Sequence, residues 1–357
     1  MGGDHAPGAI LEGAIAAADT LAADDCIVLI GDGSLIGAGL EKAGLQDDPR
    51  FEVEATTQVI EMCDSPVKAI REKQDSSIVR MGELGRAKAG DRFCDAIISA
   101  GNTGACVATA QMFMRRLPGV TRPGIAVTIP TQHGPVVLID VGANPEPRPS
   151  HLHQYAHMAA VYAERVISIE QLRIAVMNIG GEEGKGTPLV RETSQLCRAD
   201  PSLKDEYIGF VEGRELFEGK ANIVITEGFT GNVVLKLAEG LSAGLLRLIG
   251  NEIAAEDPKL AQQFMPIVKR IAKKHDYHEF GGAPLLGVNG ICMIAHGSSE
   301  ARTITNAIAS AVRYEKLGVN AAIVERIAAC AELTAASEKR HEDAEAESRA
   351  RMAGGRA

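Results

Sequence analysis

The sequence predicts an α/β protein built on a mainly parallel, doubly wound sheet, with a helical hairpin inserted into this framework. Short β-rich runs alternate with amphipathic helical stretches, which is typical of βαβ units with helices on both faces of a sheet. Nearly every run ends in a turn that contains glycine. With 357 residues, of which 45% are hydrophobic and 24% charged, the composition is that of an ordinary globular protein.

The predicted strands are the runs at residues 26–30, 96–99, 136–141, 174–179, 223–226 and 290–295. Ligands in open α/β sheets bind outside the carboxyl ends of the strands, so we expect the chemistry in the turns that follow. We predict one α/β domain over residues 1–336. Residues 337–357 are rich in Glu, Arg, Lys and Ala and cannot bury a core face, so we expect a frayed helix or a disordered tail there.

The inserted hairpin is predicted at about residues 233–275. Apolar residues recur at helical spacing in two segments, and Asp257-Pro258 marks the turn between them. The second segment carries a cationic cluster in a protein of net charge −10. We expect the hairpin to dock on an anionic membrane or an acidic partner, because the alternative, a helix pair in a dimer core, leaves the cations unexplained. The residues assigned to docking are Leu245, Phe264, Lys269, Arg270, Lys273 and Lys274.

Charge and cysteine usage argue against several classes of function. With 37 basic and 47 acidic residues, the chain lacks the basic surface that nucleic acid demands, so no nucleic-acid partner is expected. The seven cysteines have no C-x-x-C spacing, which indicates neither a disulfide framework nor a zinc site, and no metal is predicted. The sequence shows no apolar run near the ~20 residues of a membrane span and no signal sequence, so we expect a cytoplasmic protein.

The turn after the run at 96–99 is a candidate anion site. Its glycines let the backbone approach a ligand, and the N–H groups and dipole at the start of the following helix favour an anion. We predict a phosphate cradle here; the alternative is a tight turn in which Asn102 or Thr103 only caps the helix. The residues assigned to the cradle are Ser99, Gly101, Asn102, Thr103 and Gly104.

A second candidate turn, His296-Gly297-Ser298-Ser299, follows the run at 290–295 and precedes a helix. Ser298 or Ser299 is expected to cap that helix and to help bind phosphate, with His296 within reach of the ligand. A hydrogen-bonded structural histidine is the alternative. Polar glycine turns at 140–144 and 227–232 follow other strands, and all four turns are expected to converge on one crevice.

Two further residues, Lys185 and Cys106, and one further turn, at residues 31–33, are candidate sites. Lys185 lies between glycines, with no neighbour along the chain to occupy its ammonium group, and is a candidate to complete an anion site or protonate a leaving group. An exposed loop lysine is the alternative. Gly31-Asp32-Gly33 lacks the spacing of a dinucleotide fingerprint and is interpreted as a turn before a helix. Cys106 is interpreted as a small buried residue.

A series of ordered motifs, including these turns, spans nearly the whole chain. The motifs are residues 1–4 (MGGD), 73–77 (KQDSS), 99–104 (SAGNTG), 140–144 (DVGAN), 178–180 (NIG), 211–214 (VEGR), 228–236 (GFTGNVVLK), 281–287 (GGAPLLG) and 295–299 (AHGSS). Together they resemble the motifs of the bacterial phosphate acyltransferases, the PlsX family, which make acyl phosphate from acyl-acyl-carrier-protein for phospholipid synthesis.

The resemblance implies a fold similar to phosphate acetyltransferases and isopropylmalate dehydrogenases, no cofactor, and a homodimer held peripherally at the inner membrane face. It implies acyl-acyl-carrier-protein and inorganic phosphate as substrates, and a membrane glycerol-3-phosphate acyltransferase as a further contact. The acidic partner of the hairpin would then be the acyl carrier protein. The family carries a β-strand before its Met-Gly-Gly-Asp turn, whereas Met1 begins that turn here, so we expect the first strand to be missing from this sequence. Gly181, Phe210 and Glu227 replace the glutamate, asparagine and aspartate that are usual in the family.

Transfer of an acyl group from a thioester to phosphate needs an anion held near the carbonyl, donors for the oxyanion and help for the departing thiolate. Asn232 is the candidate oxyanion donor, and Lys185 or His296 is the candidate to assist the thiolate. A dehydrogenase on the related fold would need a dinucleotide motif or an acidic metal cluster, and the sequence shows neither. A non-catalytic membrane scaffold would keep the hairpin without the polar turns.

Overall fold

The computed structural model describes residues 1–22, 24–86, 90–274 and 281–354; the side chains of residues 91, 272–274 and 347–354 also lie outside this description. The strands are β1 Ile27–Gly31, β2 Phe51–Ala55, β3 Ala96–Ser99, β4 Gly124–Thr131, β5 Gly134–Ile139, β6 Ile174–Met177, β7 Tyr207–Val211, β8 Ile223–Ile225, β9 Ala283–Leu286 and β10 Ile291–Ile294. The α-helices are α1 Gly8–Ala17, α2 Gly33–Lys42, α3 Pro66–Glu72, α4 Ser77–Leu84, α5 Thr103–Phe113, α6 Pro149–Arg165, α7 Pro188–Ala199, α8 Gly228–Glu256, α9 Pro258–Lys274, α10 Ala301–Lys316, α11 Val319–Ala329 and α12 Ala331–Gly354.

The chain divides into two compact units, where the sequence led us to expect one domain over residues 1–336. Unit 1 comprises Met1–Leu117 and Asp276–Asn320. Unit 2 comprises Pro118–His275 and Ala321–Ala357. Each unit is therefore assembled from two segments that are distant in the sequence.

In unit 1, β3 and β10 pair in parallel, and β9 pairs antiparallel with β10. The register places Ser99 opposite Ile294, which are the last residues of β3 and β10. The turns that follow these strands therefore leave the sheet side by side. β1 and β2 form a separate parallel pair. Residues of β1 and β3 line a common, mainly apolar cavity of about 610 Å³ that extends to the turn at 99–101.

In unit 2, the spatial order β5, β8, β6, β7 is parallel throughout, and β4 pairs antiparallel with β5. The ladders place Ile225 of β8 opposite both Ile139 and Val176. β5, β6 and β8 therefore end together, and the turns at 140–144, 178–186 and 226–232 lie at one edge of this sheet. The residues of these three central strands are almost all buried, as expected of parallel strands covered on both faces.

The predicted fold class, α/β with mainly parallel strands, is confirmed. Each of the six predicted runs overlaps a strand, and these strands are β1, β3, β5, β6, β8 and β10. The strands β2, β4, β7 and β9 were not predicted. β2 alternates glutamate with apolar residues, and β9 contains Pro284. Neither therefore has the continuous apolar run from which the other strands were predicted.

Two local interpretations in unit 1 are also confirmed. Asp32 caps α2, because its Oδ1 accepts hydrogen bonds from the N–H groups of Ser34 (2.9 Å) and Leu35 (3.1 Å). The turn at 31–33 is therefore a helix start. Cys106 is buried, and its Sγ lies 3.8 Å from Cys292 Sγ.

The predicted hairpin is present as α8 and α9, which meet at Asp257. α8 begins at Gly228 rather than near residue 233, because the Glu227 carboxylate caps it by accepting from the N–H groups of Phe229 (2.6 Å) and Thr230 (2.9 Å). The apolar rows of both helices are exposed, at Val233, Leu237, Leu241, Leu245, Leu248, Leu260, Phe264, Ile267 and Ile271. Across the described residues, no helix is both long and apolar enough to cross a membrane.

The C-terminal segment is helical in α12 as far as Gly354, where we expected a frayed helix or a disordered tail from residue 337. Within unit 2, Glu338 forms an ion pair with Arg148 (2.7 Å), and His341 lies 3.1 Å from Glu192. Polar contacts, rather than an apolar face, therefore attach much of this charged helix to its unit.

Candidate active site

The turn between β3 and α5 is held in place by the side chain of Asn102. Its Oδ1 accepts from the N–H of Ala105 (3.0 Å), which caps α5. Its Nδ2 lies within 3.1–3.2 Å of the carbonyl oxygens of Glu61, Met62 and Asp64. Asn102 therefore caps the helix, as the alternative interpretation held, and also ties the turn to a segment some 40 residues earlier.

The backbone of the same turn keeps donors available for an anion. In the part of the chain that the structure describes, the N–H groups of Thr103 and Gly104, the first two residues of α5, have no acceptor. Gly104 is exposed, while the Ser99 Oγ accepts from the Gly101 N–H at 3.2 Å. These two amides at the positive end of the helix dipole can bind phosphate oxygens.

The turn at 296–299 lies beside this cradle in unit 1, but its serines do not cap α10. The residue before α10 is Glu300, and no side chain caps the helix, so the predicted capping by Ser298 or Ser299 is wrong. Ser298 Oγ lies 2.7 Å from His296 Nδ1 instead. Ser299 Oγ is buried and has no hydrogen-bond partner among the described residues, which leaves a polar atom for a ligand to satisfy.

An open pocket of about 460 Å³ adjoins both turns of unit 1. It is lined by Met1, Gly2, Gly3, Asp4, Ala6, Val59, Glu61, Met62 and Cys63. The Asp4 N–H donates to the Gly297 carbonyl (2.8 Å), so the pocket contacts the turn at 296–299 directly. Lys73 supports the pocket wall by binding the Val59 carbonyl (2.8 Å) and Asp64 (2.6 Å). Because Asp4 and Glu61 are acidic, an anion is expected at the α5 amides rather than in the pocket.

In unit 2, the buried Asp140 carboxylate organises the turn at 140–144. It accepts from the backbone N–H groups of Ile125 (3.1 Å), Gly142 (3.1 Å), Ala143 (3.0 Å) and Asn144 (2.7 Å). Burial raises the pKa of Asp140, and these four N–H bonds oppose the rise. Asp140 was not among the predicted site residues, although an aspartate at the end of a strand, two residues before a glycine, is a signal that could have identified it.

The start of α8 packs closely against this turn. The Gly228 N–H donates to the Asn144 carbonyl (2.8 Å), and a Cβ at Gly231 would overlap the Asp140 carbonyl oxygen. Asn232 is exposed, and its Nδ2 is 3.8 Å from where a Cβ at Gly142 would lie. The structure thus brings the candidate donor Asn232 to the turn at 140–144. The first N–H groups of α8 are already bound by Glu227 and Asn144, so this helix start differs from that of α5.

Lys185 is not the unpaired cation that we expected. Its Nζ lies 2.7 Å from Glu182 Oε1 in the same turn. The expectation was wrong because it was based only on the glycines next to Lys185 in the sequence. The turn folds back, so that the side chains of Glu182 and Lys185 meet beside Gly180. Glu182 raises the pKa of Lys185, which makes the ammonium a weaker proton donor.

The variant Glu182→Gln is expected to lower the pKa of Lys185, because the hydrogen bond that the ammonium donates to the Glu182 carboxylate raises this pKa most. Titration of the Lys185 side-chain NMR signal with pH measures this change. The pair of Glu215 and Lys220 provides a control, since the lowered pKa of Glu215 should not respond to the variant. An unchanged Lys185 titration would contradict the ion pair.

Comparison with solved structures identifies the class of fold. The structure resembles the EutD phosphotransacetylase from Staphylococcus aureus with a TM-score of 0.54, at 16% sequence identity, over 86% of this chain and 92% of that one. This likeness and the polar turns at the strand ends define an α/β protein with the phosphotransacetylase fold.

Sequence comparison identifies the family. A family model described as "Fatty acid synthesis protein" matches residues 1–322. The phosphate acyltransferase of Heliobacterium modesticaldum is 42% identical over 334 residues, which span 92% of this chain and 96% of that protein. The phosphate acyltransferase of Geobacter sulfurreducens is 40% identical over 329 residues, 92% of each chain. The chain therefore belongs to the phosphate acyltransferase family, as its motifs indicated, and is an enzyme that transfers acyl groups to phosphate.

Proposed function

We propose that this enzyme moves a long-chain fatty acyl group from acyl-acyl-carrier-protein to inorganic phosphate and so supplies acyl phosphate for phospholipid synthesis. The observation that carries the proposal is the pair of available amides at Thr103 and Gly104, on a glycine turn that belongs to the family's motifs. Phosphate is already anionic at neutral pH, so the enzyme needs to position it rather than to activate it.

In the proposed reaction, a phosphate oxygen attacks the thioester carbonyl carbon, the C–S bond breaks, and the carrier leaves as a thiolate that takes a proton. The backbone amides of Thr103 and Gly104 and the Ser299 hydroxyl bind phosphate. The other residues of the two turns that take part in phosphate binding are Ser99, Gly101, Asn102 and Ser298. Asn232 donates to the oxyanion of the tetrahedral intermediate. His296 protonates the thiolate, and Lys185 is the weaker candidate because Glu182 pairs with its ammonium group.

Incubation of the purified protein with a long-chain acyl-acyl-carrier-protein and phosphate tests this function. Acyl phosphate should form in proportion to enzyme and be trapped as the hydroxamate. Replacement of phosphate by sulfate is the control for simple thioester hydrolysis. Release of free carrier without acyl phosphate would refute the proposed reaction, and failure to bind NAD would dismiss the dehydrogenase alternative.

We further propose that the α8–α9 hairpin holds the enzyme to a membrane surface or to its acyl carrier. The exposed apolar row is a surface of the kind that marks an interaction site. Lys269 and Arg270 are exposed beside it, while the side chains of Lys273 and Lys274 lie outside the described residues. Basic residues near an anionic lipid surface contribute about 1 kcal/mol each, in addition to apolar burial. The same apolar row also suits the dimer core of the alternative interpretation and the homodimer that the family resemblance implies.

Three variants separate these possibilities: reversal of Lys269, Arg270, Lys273 and Lys274 to Glu, Leu245→Ser and Phe264→Ser. Membrane docking predicts that all three release the protein from anionic vesicles while activity in solution survives. Carrier docking predicts that charge reversal raises the KM for acyl-acyl-carrier-protein in solution. A dimer core predicts that Leu245→Ser and Phe264→Ser shift the oligomeric state by sedimentation.

The matched control reverses four exposed cations away from the hairpin, Lys42, Arg71, Lys204 and Lys339. This control changes the net charge equally. If it alters vesicle binding and donor use as much as the hairpin reversal does, the effect comes from net charge and the docking proposal fails.

A further inference from the structure

Four side chains with metal-ligating atoms meet inside unit 2, away from the turns at the strand ends. They are His153, His157, Asp200 and Cys330, and their ligand atoms all lie within 4.8 Å of one another. All four residues are at most 2% exposed. Two imidazoles and a carboxylate pair with one another here, and a thiol lies beside them, since buried polar groups require partners.

Several separate elements build this cluster. His153 and His157 are four residues apart on α6 and so lie on the same face of the helix. Asp200 follows α7 and directs one carboxylate oxygen, Oδ1, to the Ser202 N–H (2.8 Å), while Oδ2 faces the histidines. Cys330 lies between α11 and α12. The spacing of the cysteines could therefore not predict this cluster. The His-x-x-x-His pattern at residues 153–157 could have indicated it, because it places both histidines on one face of a helix.

The distances among the ligand atoms have the dimensions of a tetrahedral site. Asp200 Oδ2 is 2.9 Å from His153 Nε2 and 3.0 Å from His157 Nε2, and the two Nε2 atoms are 3.4 Å apart. Zinc bonds to nitrogen and oxygen of about 2.0–2.1 Å give a tetrahedron with edges of roughly 3.3 Å. These three atoms therefore approximate one face of such a tetrahedron, and Cys330 Sγ is near enough to supply the fourth vertex.

The charges also suit a divalent cation. The Asp200 carboxylate is buried and lies within hydrogen-bond distance of both imidazoles. The Asp200 carboxylate and a Cys330 thiolate would together carry two negative charges, which would balance the charge of a divalent cation held by two neutral imidazoles. Outside the four ligands, Arg326 Nε lies 3.4 Å from His157 Nδ1, and its guanidinium is paired with Glu206. A metal at Nε2 would leave the imidazole proton of His157 on Nδ1, so the site requires Arg326 Nε to release Nδ1 while the guanidinium keeps its ion pair with Glu206.

We propose that His153, His157, Asp200 and Cys330 form a buried structural zinc site in unit 2. Two nitrogens, one oxygen and one sulfur suit the intermediate softness of Zn²⁺, and four protein ligands close its coordination shell. Binding releases the Cys330 thiol proton to solvent and links α6, the end of α7 and the α11–α12 junction. The site stabilises the unit and is distinct from the acyl-transfer chemistry.

The test uses the full chain, unfolded with chelator under reducing conditions and refolded with or without one equivalent of Co²⁺ or Zn²⁺. We expect one bound metal per chain after desalting and a higher melting temperature with Zn²⁺ than without. The Co²⁺ form should show the near-ultraviolet charge-transfer absorption of a cobalt–thiolate bond, and added Zn²⁺ should abolish it. A refolded wild-type chain that retains no metal would overturn the proposal.

A matched pair of cysteine variants identifies the ligand. Cys330→Ser should abolish the charge-transfer absorption and weaken Co²⁺ binding at least about tenfold. Cys197→Ser should leave both unchanged, although Cys197 is also fully buried and close enough to Asp200 and Cys330 for their charges to act on its thiol. The double variant His153→Leu, His157→Leu should abolish Co²⁺ binding. If that variant does not fold, the comparison of Cys330→Ser with Cys197→Ser still tests the proposal. Persistence of the absorption in Cys330→Ser would refute the site.

Discussion

The double variant Asn102→Ala, Ser298→Ala is expected to raise the KM for phosphate about ten- to a hundredfold, while the KM for the acyl donor changes little. Asn102 caps α5 through its Oδ1 and binds the carbonyls of Glu61 and Met62 through its Nδ2. Without the Asn102 side chain, the turn that carries the proposed phosphate-binding amides is no longer held in place. Ser298→Ala removes the hydroxyl that lies 2.7 Å from His296 Nδ1 in the neighbouring turn. Steady-state kinetics with each substrate varied separately measures the two KM values.

Asp32→Ala is the matched control for stability, since it also removes a helix cap in unit 1. Both losses cost about 1 kcal/mol from the cap itself. We expect Asp32→Ala to lower the melting temperature without changing the KM for phosphate. An unchanged phosphate KM in the double variant, or an equal rise in Asp32→Ala, would show that the α5 turn is not the phosphate site.

Gly231→Ala is expected to destabilise the protein by about 3 kcal/mol and to abolish most acyl transfer. The new Cβ would overlap the Asp140 carbonyl oxygen, which is backbone and cannot move without displacing the turn at 140–144. Four backbone N–H groups donate to the Asp140 carboxylate, so displacing this turn would also disturb those hydrogen bonds. Denaturant unfolding measures the loss of stability, and the acyl phosphate assay measures the loss of activity.

Gly250→Ala in the same helix is the matched control. Its Cβ would lie 3.6 Å from Met265 Sδ, which is an ordinary van der Waals contact. Replacing a helical glycine by alanine there should raise the free energy of unfolding by up to about 1 kcal/mol. If Gly231→Ala were as stable as wild type, the close packing of α8 on the turn at 140–144 would be absent in solution.

Much of the local structure could be predicted from the sequence. The six apolar runs each overlap a strand, the hairpin turns at Asp257, and the turn at residues 31–33 precedes a helix as its residue types indicate. The family also followed from the motifs alone. These features depend on hydrogen bonds and periodicity within a few residues, so the sequence of each segment was sufficient to determine them.

The tertiary structure alone decided how these segments support one another. Asn102 binds carbonyls some 40 residues away, and Asp140 receives the N–H of Ile125 from the adjacent strand. Ser298 and Ser299 leave α10 uncapped, although their position suited a cap. The proposed zinc ligands are brought together by packing of elements between residues 153 and 330. Such contacts depend on which strands pair and how helices pack on them, and the buried apolar area that decides this is a property of the whole unit rather than of any segment.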